Sequence, residues 1–182
     1  MKIKDKAEII EKATEIIAFS GLDKLTMQSL GKELGLNKAS LYHWYSSKEE
    51  ILEAVFEEGH RKLMAKGFRL NLEGSTEEVL SRAASEWTKI FSDESLLPYL
   101  RAVYSLRYSD ERAEEEARAL SLMIRSQIDV IISSLGYQDT FISSLFASLL
   151  LLHLESILDG GEEDFIEDSE SFAELLNHMD SR

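Results

Sequence analysis

The densest grouping of residues able to grip a nucleic acid lies between Thr26 and Lys48. Thr26, Met27 and Gln28 open one short segment, Lys38, Ala39, Ser40, Tyr42 and His43 crowd the next, and Lys48 follows just beyond. Thr26 and the backbone amides after it, at a helix start, make a ready seat for phosphate. Lys38 can donate to O6 or N7 of guanine, Gln28 can pair with adenine or reach a neighbouring phosphate, and Ala39 can touch a thymine methyl. Phosphate contacts would position the chain and base contacts would specify the site.

These groups act together only if local structure aligns them. Thr26 is a good N-cap, Leu30 and Leu34 recur at helical spacing, Gly35 can take the left-handed turn that ends a helix, and Asn37 can cap the next. The second helix is expected from Lys38 to about Tyr45, with Leu41 and either Trp44 or Tyr45 inward. Two helices across a short Gly turn form a helix-turn-helix, whose second helix fits the major groove of DNA. The same pattern also fits two ordinary amphipathic helices, and spacing alone leaves both readings open.

Residues 40 to 52, Ser-Leu-Tyr-His-Trp-Tyr-Ser-Ser-Lys-Glu-Glu-Ile-Leu, resemble the signature of TetR-family transcriptional regulators, and the likeness extends back through Thr26, Gly21 and Phe19. The family pattern usually has Ala where this chain has Gly31, and often Phe where it has Tyr45. The resemblance implies Tyr42, His43 and Lys48 as clamps on the DNA backbone. It further implies a helix-turn-helix domain over residues 1–48 and an effector-binding and dimerisation domain over 49–182, paired through a four-helix bundle. Repression relieved by a small effector is the activity it implies. The alternative is a module of the same fold that acts through protein contacts without binding an operator.

The chain of 182 residues, 44% hydrophobic and 30% charged, has the composition of an ordinary globular protein. Its net charge of −14 opposes DNA binding if taken whole. Residues 1 to 48, however, hold eight lysines against six acids, a balance of +2, which leaves −16 for the remainder. A local basic face on an acidic chain can still meet a polyanion. No cysteine is present, which excludes disulfides and thiolate metal sites. No basic start is followed by an apolar signal-like run, and the longest apolar run, Leu149 to Leu152, is too short to cross a membrane. A cytoplasmic location without membrane contact is expected.

An all-α fold is expected along the whole chain. A first helix over 5–19 is capped by Asp5, with Phe19 and Leu25 packing beneath the two short helices. Lys2, Lys4 and Lys6 precede or open it and read as solvated, though within reach of a phosphate. A long helix follows Ser47 to about Lys66, and Asn71 to Thr76 reads as a linker. Further helices are expected from Ser75 to Phe91, from Pro98 to about Arg107, over 110–135, over 139–158 and over 170–179. Gly160 to Ser169 reads as a solvated loop.

The helix over 139–158 is more apolar around its circumference than one core face requires. We read Phe141, Leu145, Leu149 and Leu152, with Phe172, Leu175 and Leu176 of the last helix, as an interface with a second copy. Trp87, Phe91, Tyr104, Arg107, Tyr108, Met123, Gln127 and His153 are candidates to line an effector pocket, with Tyr99 a further aromatic in the same region. Tyr and Trp in an all-α body also serve as core residues. Glu57 and His60 make one Glu-x-x-His pair, where a di-iron bundle needs two. No catalytic activity, metal or cofactor is expected. The expected partners are double-stranded DNA, a second copy of the chain and an unidentified small effector.

Overall fold

The structure, a computed structural model, describes residues 5–161 and 165–180. Among them the chain forms nine α-helices and one 3-10 turn, with no strand: α1 (Lys6–Ser20), the 3-10 turn (Leu22–Lys24), α2 (Met27–Leu34), α3 (Lys38–Trp44), α4 (Lys48–Lys66), α5 (Thr76–Phe91), α6 (Leu97–Leu106), α7 (Glu111–Ser134), α8 (Thr140–Asp159) and α9 (Phe165–Asp180).

Most boundaries follow from caps written in the sequence. Asp5 accepts from the Glu8 amide at 2.9 Å and starts α1. Ser75 and Glu78 form a reciprocal capping box on α5, and Asp139 accepts from the Phe141 amide at 2.8 Å to start α8. Pro98 sits in the first turn of α6, where its missing N–H costs nothing.

Two compact units are present. The first takes the chain up to Lys66 together with Glu94–Ala117. In it α1 packs against α2, α4 and α6, around a core that includes Ile9, Ile17, Leu30, Leu41, Ile51 and Tyr99. The second takes Gly67–Asp93 and the chain from Arg118 onward. There α5 packs against α8 and α9, around Trp87, Phe91, Phe146 and Phe165. α7 supplies its first turns to the first unit and the remainder to the second. The division expected for function, 1–48 and 49–182, differs from the packing units: α4 and α6 share a compact unit with the residues expected to read DNA.

Several expectations need correction. Phe19 is 59% exposed rather than packed beneath α2 and α3, and the Arg101 guanidinium covers its ring at 5.1 Å. Leu25 alone fills the place expected of the pair. The last helix begins at Phe165, five residues before the expected start at Glu170, so part of the expected solvated loop is helix. Phe165 and Ser169 are buried, Phe165 against Phe146 at 5.7 Å, and this packing draws the chain into helix despite its acidic composition. Residues 162–164 of that loop, and the expected reach of Lys2 and Lys4, lie outside the described residues.

Taken as a helix rather than as an unbroken apolar run, α8 is long and apolar enough to cross a membrane. One side of it is buried within its own unit, as in the core helix of a globular protein. His153 on that side is buried, stacked on Phe165 at 4.9 Å and hydrogen-bonded to Thr88 Oγ1 at 3.0 Å.

Candidate nucleic-acid interface

The first unit builds the candidate interface from short, heavily capped elements. Thr26 Oγ1 accepts from the Ser29 amide at 3.0 Å, Ser29 Oγ accepts from the Thr26 amide at 2.9 Å, and Ser29 Oγ donates to the Lys24 carbonyl at 2.6 Å. This box fixes the entry to α2, with Gln28 pointing to solvent.

α2 ends on Gly35 in the left-handed region, with φ 65° and ψ 28°. The Leu36 amide donates back to the Gly31 carbonyl at 2.8 Å. A Cβ on Gly31 would stand 2.8 Å from the Leu36 carbonyl oxygen, closer than side chains tolerate. Gly31, where the family pattern usually carries Ala, thus allows a tighter turn between the two helices.

Asn37 Oδ1 then accepts from both the amide and the hydroxyl of Ser40, at 2.8 and 3.0 Å, and starts α3. Leu41 and Tyr45 are buried beneath α3, which settles the choice between Trp44 and Tyr45. Lys6 lies over the Tyr45 ring at 5.1 Å. Burial, with Glu50 and Glu57 nearby, holds the Tyr45 phenol above its ordinary pKa.

Lys38, Ala39, Tyr42 and His43 share the exposed side of α3. The Lys38 ammonium rests 5.5 Å from the Tyr42 ring centroid, so the cation expected to read a base and the hydroxyl expected to reach a phosphate sit side by side. Ser40 is half-buried, and its hydroxyl is engaged with the Asn37 cap. Met27 is buried in the unit core, so what it can offer a duplex is its backbone amide at the start of α2. Lys48 donates to the Leu22 carbonyl at 2.8 Å and ties the start of α4 to the 3-10 turn. No sequence pattern signals that bond, because it spans 26 residues between a side chain and a turn carbonyl.

A second cluster sits on α4 in the same unit. Glu116 Oε2 accepts from the Tyr99 hydroxyl at 2.9 Å and lies 3.0 Å from His60 Nδ1. The Tyr99 ring packs directly over Gly59, where any Cβ would overlap it. Burial first, and the Glu116 carboxylate second, push the Tyr99 phenol well above its ordinary range. The His60 of the Glu-x-x-His pair is thus committed to Glu116.

The residues expected to line one effector pocket fall in two units. Tyr104, Arg107 and Tyr108 belong to the first, where the Arg107 guanidinium lies 4.7 and 4.9 Å from the two tyrosine rings, and Tyr108 is 87% exposed. Trp87, Phe91, Met123, Gln127 and His153 belong to the second. Of the expected interface residues, Phe141, Leu145, Leu152 and Leu175 are exposed and Leu149 is half-buried. Phe172 and Leu176 are instead buried in their own unit, Phe172 against Phe146 at 5.0 Å, because that side of α9 faces the core.

Two short capped helices across a Gly turn, on a chain that is all-α among the described residues, have the form of a helix-turn-helix. Residues 9–55 match the family model of bacterial regulatory proteins of the tetR family. An HTH-type transcriptional repressor of Mycobacterium tuberculosis is 26% identical over 126 residues, which are 68% of this chain and 48% of that protein. The chain thus spans about half the length of this curated relative. The fold is shared with the TetR-family regulator PfmR of Thermus thermophilus, at a TM-score of 0.63 and 22% identity over 94% of this chain and 96% of that one. It is shared also with a TetR-like regulator from Rhodococcus sp. RHA1, at a TM-score of 0.67 and 15% identity over 94% and 96% of the two chains.

Proposed function

We propose that the protein is a sequence-specific transcriptional repressor. It binds a near-palindromic operator as a homodimer and leaves it when a small apolar or amphipathic effector binds. The observation that carries this reading is the exposed side of α3, where Lys38, Ala39, Tyr42 and His43 project from a helix capped at its start and seated on Leu41 and Tyr45. Residues 1–48 do the reading, and residues 49–182 dimerise and bind the effector. Thr26, Met27 and Gln28 contribute at the start of α2, Ser40 holds the start of α3, and Lys48 adds a cation at its far end. A regulator of chromosomal genes works in the cytoplasm, and α8 serves as core and interface rather than as a membrane span.

The protein acts by binding rather than by catalysis. Its one Glu-x-x-His pair supports this, since His60 is tied to Glu116 and Glu116 to Tyr99. The deciding experiment is an anisotropy titration of duplex from the promoter of its own gene against random duplex of equal length, at fixed salt. Preference for the promoter by about a thousandfold or more is expected of a specific reader. Equal affinity for the two duplexes would overturn the reading and leave a module that acts through protein contacts.

A further inference from the structure

Glu50, Glu53 and Glu57 fall on one stripe of α4, at spacings of three and four. They edge a groove of about 530 Å³ that α4 shares with the start of α1, within the first unit. Glu58 also reaches the groove, but Arg61 takes both of its oxygens, at 2.8 and 2.7 Å. Glu53 and Glu57 make no hydrogen bond or ion pair among the described residues. With Lys6 and Arg61 counted against the four carboxylates, the groove keeps an excess of two negative charges.

Tyr45, the residue that closes α3, lines the same groove. Only 3% of it is exposed, yet its hydroxyl is not fully occluded and has no hydrogen-bond partner among the described residues. Burial first, and then the charges of Glu50 and Glu57, raise the phenol, which places that hydroxyl in the field of the groove carboxylates. A polar group so deeply set is costly to leave unpaired. From α1 the Lys6 ammonium rests 5.1 Å from the ring centroid, so an alkylammonium already fits against this aromatic surface.

We propose that this groove binds a linear aliphatic polyamine, with one ammonium on the Tyr45 hydroxyl, the others on Glu53 and Glu57, and the methylene chain along Ala54. The site is separate from that of the apolar effector and does not depend on the repressor reading. Glu53 and Glu57 stand about 6 Å apart along the helix axis, a separation that a four-carbon chain between two ammonium groups matches. Among the described residues no three carboxylates or imidazoles gather tightly enough for one metal ion, so the charges suit an extended cation rather than a divalent one. Glu50 accepts from the amide and the hydroxyl of Ser46, at 2.6 and 2.7 Å, directly after Tyr45. A cation held here therefore ties the end of α3 to α4.

Calorimetric titration of the full chain with spermidine, without DNA and at fixed salt, tests the proposal. One saturable site per chain is expected, and Mg²⁺ at equal charge should fail to compete for it. Glu53→Gln combined with Glu57→Gln should weaken binding about tenfold, as loss of two solvent-facing ion pairs would. Tyr45→Phe keeps the buried ring and should weaken it about fivefold, the worth of one hydrogen bond. Glu170→Gln combined with Glu174→Gln removes the same charge from the exposed side of α9 and should leave binding unchanged. Circular dichroism of each variant should stay helical. Absence of a saturable site, displacement by Mg²⁺, an equal loss in the α9 variant, or full affinity in Tyr45→Phe would each overturn the proposal. Because these readings need no operator, failure of promoter binding would remove the repressor reading and leave this result standing.

Discussion

Lys38 is the position where removing one side chain should change which DNA is bound. It is exposed at the first turn of α3 with its ammonium near the Tyr42 ring. Lys38→Ala should weaken the preferred site by about 1–3 kcal/mol and flatten the preference at the base pair it reads. Lys48 differs, because its ammonium already holds the Leu22 carbonyl. Lys48→Ala should weaken all sequences alike, and it should also lower the melting temperature by loosening the 3-10 turn from α4. Anisotropy titrations against a substituted operator series, beside thermal melts, separate the two, and a sequence-selective loss at Lys48 would reverse the assignment. The exposed chemistry of Lys38, Ala39, Tyr42 and His43 was legible in the sequence because helical spacing alone turns those residues away from Leu41 and Tyr45. The burial of Met27 and the carbonyl partner of Lys48 were not, since both depend on tertiary neighbours that no local pattern encodes.

The packing of α4 on α6 and α7 depends on a missing side chain and a buried phenol. Gly59→Ala places a methyl inside the Tyr99 ring, so the ring or a helix must shift. Such overpacking costs about 1–3 kcal/mol, which in a chain of this size lowers Tm by roughly 2–4 °C per kcal/mol. Tyr99 also sets a pH dependence. Its phenol is held neutral in the fold by burial and by the Glu116 carboxylate, so its folded pKa lies above the unfolded one. The stability this confers is fully present below the ordinary tyrosine value of about 10, and it is lost as pH rises above that value. Urea titrations from about pH 8 to pH 11 should show stability falling above about pH 10, with a shallower fall in Tyr99→Phe; identical slopes would show that the phenol is not the group responsible. Tyr45, raised for the same reason, accounts for part of the slope that remains. Helix starts such as those of α1, α2, α3 and α5 were legible because Asp5, Thr26, Asn37 and Ser75 state them in side-chain chemistry. The start of α9 was not, because the burial of Phe165 against Phe146 overrides an acidic stretch that reads locally as loop.

For the whole molecule, the question is what covers the exposed apolar side of α8 and α9. Phe141 is 69% exposed, Leu152 63% and Leu175 52%, and Leu145 and Met179 extend the same pattern. These exposed apolar side chains on α8 and α9 are what the proposed dimer would cover. A second copy is the occupant the proposed function requires, since one short α3 reads only a few base pairs. Two heads about 34–36 Å apart meet successive major grooves on one side of a duplex. Leu152→Glu places a charge on the exposed side of α8 without disturbing Phe146, Leu150 or His153 on its buried side. Sedimentation should find the unaltered chain at twice its 20.7 kDa and the variant at 20.7 kDa, both equally helical. The variant should bind a half-site duplex as the unaltered chain does and lose the added affinity of the full palindrome. A membrane role for α8 predicts otherwise: the unaltered chain would enter lipid vesicles, and the variant would fail to. A dimeric Leu152→Glu that kept full palindrome affinity would place the pairing surface elsewhere on the molecule.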